Sequence, residues 1–189
     1  MKKEADLSKY KATIPKQVRK YISSQLLYSV VVGFIGTYIM FSANSFFQKL
    51  ICMILILFHF FTLYSVTYEI ADHDTKSYST LKPHTWKGFA FSAVIALLSA
   101  VFLAAYAAAW KSGSLDSAVS IVFNILFVIW SMPYYPIVYP DHGSVQAAGI
   151  IVMFLLPIIS SGIGYYAGMK HFDLTAVTKK FIYERKNNK

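Results

Sequence analysis

Long apolar runs alternate with short polar segments along this 189-residue chain, and there are five such runs. Ile22–Phe41, Leu50–Tyr68, Gly88–Trp110 and Ala147–Met169 contain no Asp, Glu, Lys or Arg. Each reaches the roughly 20 residues that a helix needs to cross a hydrocarbon core of ~30 Å. Backbone polar groups facing lipid have no water to bond, so these runs are predicted to be helices. The fifth run, Ser117–Tyr139, is interrupted by Asn124, Pro133 and Pro136. The pattern predicts an all-α integral membrane protein in one membrane domain.

Charge decides how many runs cross. Seven Lys and Arg residues precede the first run and six follow the last; the 69–87 loop holds three. With five crossings these residues divide almost evenly, ten on one side and eight on the other. With four, sixteen lie on the side of both tails, against only Lys49 and Lys111 opposite. Short basic segments stay cytoplasmic, so four crossings with both termini inside are expected. Residues 1–21 and 170–189 become basic cytoplasmic tails. The first run is too long for a signal-peptide core and lacks a clear small-residue exit, so it is expected to remain as a helix.

The odd segment fits an interfacial or re-entrant helix over 116–139 better than a fifth span. Three prolines fall within 131–140, which no regular helix survives. Val119, Val122, Phe123, Leu126, Phe127 and Trp130 make an apolar stripe at helical spacing. Trp130, Tyr134, Tyr135 and Tyr139 are residue types that settle at headgroup level.

Small residues predict where the helices touch, because close backbone approach drives association in lipid. Ala96, Ala100, Ala104 and Ala108 form one ridge; Ser160, Gly164 and Gly168 form another. Ser29, Gly33 and Thr37 offer a third. Packing within one chain is the simpler use of these ridges, and a self-association seam the alternative. Pro157 is expected to kink the last span.

Composition then narrows the chemistry. Only 14% of residues are charged, and mean hydropathy is +0.48. The net charge of +9 sits mainly in the tails, where it suits anionic headgroups rather than nucleic acid. Cys52 is the single cysteine, so intramolecular disulfides and thiolate clusters are excluded.

Ionisable groups inside a membrane are functional candidates because their burial is costly. His59 stands alone at bilayer depth; its ordinary reading is a neutral imidazole bonded locally, to Thr62, Tyr64 or Ser65. A ligand or proton-relay role is the alternative. Asn124 is expected to bond across helices. Glu69, Asp72, His73, Asp74 and His84 form the richest polar cluster. A helix end capped by Asp72 or Asp74 is the simpler reading of that cluster, and a metal site the other. No nucleophile–base pattern or phosphate loop is found, so neither an enzyme nor a cofactor is expected.

Residues 68–92, YEIADHDTKSYSTLKPHTWKGFAFS, carry a resemblance. A span closing on Tyr-Glu, an Asp-containing loop and Lys87-Gly88-Phe89 opening the next span are similar to small uncharacterised multi-span membrane proteins of Gram-positive bacteria. The segments 124–136 and 164–170 share that look. The resemblance implies a bacterial cell membrane and brings no activity. Two functions fit: a contact-acting accessory, regulatory or assembly component, with other membrane proteins or itself as partner, or a small oligomeric transporter or channel.

Overall fold

The computed structural model describes residues 13–42, 45–77, 79–111, 118–138 and 146–172, and these are almost wholly helical. Four long helices run α1 (Ile14–Ser42), α2 (Ser45–Asp74), α3 (Lys87–Lys111) and, last in the chain, α6 (Ala147–Met169). Between α3 and α6 lie α4 (Ala118–Ser131), a 3₁₀ turn (Met132–Tyr134) and the short α5 (Tyr135–Val138). Among the described residues, three stretches are long and apolar enough to cross a membrane: Phe46–Asp74, Lys87–Ala108 and Ala147–Met169. Their outward faces are apolar, with Phe58, Leu97 and Ile151 each more than half exposed. Among the described residues there is no strand.

The first two helices outrun their apolar segments, α1 by more than two turns before Ile22 and α2 by six residues after Tyr68. Lipid constrains only the apolar part of a helix; beyond it, intrahelical bonds and contacts with neighbours carry the helix on. Thr75 ends α2, its hydroxyl donating to the Asp72 carbonyl. At the end of α6, His171 takes a left-handed conformation at φ 53°. This lets the Phe172 amide reach the Ala167 carbonyl at 2.9 Å, a Schellman-type stop.

Glycines set the closest approaches. A Cβ on Gly164 would strike backbone and Thr67 of α2, and one on Gly168 would strike Tyr68 and Ala71. α6 and α2 therefore pack almost backbone to backbone. Gly88 does the same between α3 and α6, where a Cβ on it would lie 2.6 Å from Ser161 O, while a Cβ on Gly162 would strike the Phe89 ring. Gly164→Ala is expected to lower stability by about 1–3 kcal/mol, because rigid backbone must shift. Gly36→Ala should cost less, since only the Met132 side chain stands in the way. Melting curves of both variants in one detergent check the order.

The alanine ridge of α3 does not pack. Ala100, Ala104 and Ala108 are exposed and Ala96 is half-buried; Phe91, Ser92, Ile95 and Ser99 face inward instead. The physical reason is rotation of α3 about its axis, set by Gly88 against α6 and by Trp130 Nε1 donating to Ser99 Oγ at 2.8 Å. Ser160, Gly164 and Gly168 are buried in the bundle. α6 runs through the buried Pro157 without a break. The Thr37 side chain lies outside the described residues.

α4 packs on α3 and α1, stacking Phe127 on Tyr106 and setting Trp130 at a tilt against Phe102. Its end meets Gly33 through Ile129, and the 3₁₀ turn meets Gly36 through Met132. The chain then reverses, and α5 lies against Gly149 near the start of α6. Two of the aromatic residues expected at the surface of this turn do not lie there. Trp130 and Tyr134 are buried, each satisfying its polar tip inside, on Ser99 and His59. Of the described side chains of the predicted stripe, Phe127 and Trp130 are buried, whereas Val122, Phe123 and Leu126 are exposed; the Val119 side chain lies outside the described residues. The Tyr135 side chain and residue Tyr139 lie outside the described residues.

Candidate functional site

Two polar centres stand out, one in the middle of the bundle and one at its Asp74 end. The first is built around His59, fifteen residues before the end of α2, or about 22 Å from it at ~1.5 Å per residue. The imidazole is 1% exposed. Its Nε2 lies 2.5 Å from Gln25 Oε1 on α1, and its Nδ1 lies 2.6 Å from the Tyr134 hydroxyl of the 3₁₀ turn. Gln25 Nε2 donates onward to Ser29 Oγ at 3.3 Å, which turns Oε1 towards the ring. One neutral tautomer then matches every group: Nε2–H donates to Gln25 and Nδ1 accepts from Tyr134.

Tyr28 lies flat on the ring, with centroids 4.7 Å apart and an interplanar angle of 9°. Its own hydroxyl donates to the Leu55 carbonyl, one turn before His59. Cys52, two turns before His59 along α2, is buried and donates to the Pro133 carbonyl at 3.1 Å. His59 therefore joins α1, α2 and the 3₁₀ turn. Its partners are not the expected Thr62, Tyr64 and Ser65, because those residues share its helix while the ring points across the bundle. Thr62 bonds the Phe58 carbonyl instead. The signal available in the sequence was Gln25, an amide in an otherwise apolar run, with Ser29 one turn on.

The second centre is Asp74, whose carboxylate is wholly buried. Gln17 Nε2 donates to Oδ1 at 2.6 Å; Lys87 Nζ and Tyr165 OH both reach Oδ2, at 2.7 and 2.8 Å. One side chain thus ties α1, α3 and α6 to α2. Asp74 was expected to cap free amides, yet its oxygens take side-chain donors, because α2 continues to Asp74 and neighbouring helices close around it. Nearby, Tyr21 and Ser161 hydroxyls meet at 2.5 Å, linking α1 and α6.

The other members of the acidic cluster go separate ways. Asp72 pairs with Lys76 at 3.1 Å and with His171 at 3.0 Å. His73 lines an open cleft between α1 and α2. His84 is exposed and stacks on Trp86 at 6.3 Å. Among the described residues, no three His, Cys, Asp or Glu side chains gather in a way that could hold a metal ion. The Asn124 side chain lies outside the described residues. What the two centres do chemically is join helices, through neutral hydrogen bonds at His59 and a shielded ion pair at Asp74.

These features define a class: among the described residues, an all-helical chain with three helices long and apolar enough to cross a membrane and polar side chains bonded to one another within an apolar core. No family model, curated protein or solved structure matches the chain.

Proposed function

We propose that the chain is a four-span protein of a bacterial cell membrane, acting by contact as an accessory, regulatory or assembly component rather than as an enzyme. α1 is its fourth span. Residues 118–138 form a re-entrant element between the third and last spans, and both termini are cytoplasmic. The Lys and Arg distribution supports this orientation. The re-entrant reading draws on the middle-bundle contacts of Ile129, Met132 and Pro133 and the return of α5 to Gly149.

The observation that carries the functional reading is the bonding of the interior polar groups to each other. Both nitrogens of His59 are engaged and the ring is covered by Tyr28. A carrier or channel needs such groups turned to a solvent path. Outside, Ala100, Ala104 and Ala108 offer small residues on an exposed face, where a second helix can approach closely. The basic tails supply contact with anionic headgroups.

A transporter is the second reading, favoured by the chain reversal beside His59 at mid-depth, as broken helices line the sites of many carriers. Purification of a tagged chain from native membranes in mild detergent separates the two. The contact reading predicts a co-purifying membrane protein in fixed ratio. A chain that purifies alone and moves solute in proteoliposomes contradicts it.

A further inference from the structure

A cleft of about 430 Å³ opens between α1 and α2 at the Asp74 end, and its lining mixes charge in a specific way. Lys16, Lys20 and Lys76 supply cations, Glu69 and Asp72 supply carboxylates, and Tyr68 gives an apolar wall. Gln17 lines it too and is only 6% exposed. Gln17 Nε2 is held by Asp74, and Oε1 of the same amide is buried with no hydrogen-bond partner. A buried acceptor without a donor is unfavourable, and a bound donor relieves it.

The charged pairs around the rim are easily opened. Lys20 pairs with Glu69 and Lys76 with Asp72, all with side chains about one-third to three-fifths exposed. Pairs in that setting contribute little, so each partner can turn to a ligand instead. The ligand must then bring an anion for the lysines together with N–H donors and positive charge for Gln17 Oε1 and the two carboxylates.

We propose that this cleft binds a phosphate ester carrying a primary ammonium, presented as the headgroup of an aminophospholipid. The phosphate meets Lys16, Lys20 and Lys76; the ammonium donates to Gln17 Oε1 and faces Glu69 and Asp72. A quaternary ammonium has no N–H for that oxygen, and a glycerol headgroup brings no cation. The proposal rests on the membrane reading only for the supply of lipid.

Native mass spectrometry of the full chain, released from nanodiscs of equal phosphatidylethanolamine, phosphatidylcholine and phosphatidylglycerol, tests it. Phosphatidylethanolamine is expected to be retained about tenfold over either other lipid, a difference of about 1.4 kcal/mol. Glu69→Gln combined with Asp72→Asn should erase that preference, and Lys16→Ala with Lys20→Ala should lower retention of all three lipids. Equal retention of the lipids by the unmodified chain with no binding of phosphoethanolamine overturns the proposal, as does a preference that survives the carboxylate substitutions in a folded variant. Soluble phosphoethanolamine and inorganic phosphate serve as competitors. Displacement by phosphoethanolamine alone supports the paired recognition, and if it binds while the lipid is not retained, the same chemistry is drawn from a soluble source. Equal displacement by inorganic phosphate reduces the cleft to a simple anion site and overturns the proposal. A topology reporter on the wrong side would contradict the four-span reading while leaving these binding results standing.

Discussion

Replacing Asp74 by Ala is expected to destabilise the chain by about 3–5 kcal/mol, because it leaves a largely buried cation without its partner. Lys87 Nζ has an 11% exposed side chain and sits 2.7 Å from Asp74 Oδ2. Removing the carboxylate also strands the Gln17 amide and the Tyr165 hydroxyl, so three helices lose their connection to α2 at one point. Asp74→Asn retains an acceptor but not the charge and should fall between the two. Pairing Asp74→Leu with Lys87→Met removes both charges together and should recover much of the loss, as replacing a whole buried ion pair often does. Melting of the three variants and the native chain in a single detergent gives the order. A double variant no more stable than Asp74→Ala would show that the pair is not the source of the effect.

His59→Leu is expected to cost about 2–4 kcal/mol, since it leaves Gln25 Oε1 and the Tyr134 hydroxyl buried without their partner, at about 1–3 kcal/mol each. His59→Gln should lie between Leu and the native residue. A glutamine amide reaches the position of Nε2 and can keep Gln25, but it cannot also serve Tyr134 or provide the ring on which Tyr28 stacks. Stability and growth phenotype should therefore fall together across the series. A His59→Gln variant that folds like the native chain yet loses its phenotype would contradict a structural role and favour the transporter.

The long apolar runs were legible as helices because lipid imposes a simple rule: an apolar stretch of sufficient length becomes a helix. Ala147–Met169 matches its run residue for residue, and α3 differs by one residue at each end. What lay beyond that rule was how each helix turns about its own axis. The alanines at 100, 104 and 108 form a more regular ridge than Gly88 and Gly162, yet the glycines make the contacts because backbone can approach only where no side chain intervenes. Asp74 read as a loop residue since α2 was expected to stop at Tyr68. Tyr134 read as an interfacial residue because nothing in its neighbourhood along the chain announces His59, 75 positions earlier. Pairings between distant segments depend on helix rotation and depth, which local pattern does not encode.

Four crossings, with residues 118–138 entering and leaving from the side opposite both tails, underlie the functional reading. Reporters fused after Lys189 and inserted near Ser77 and Gly143 test this on the full chain. The first two should read cytoplasmic and the third external. A reporter after Lys189 that reads external would make residues 118–138 part of a fifth crossing, and would contradict the four-span account.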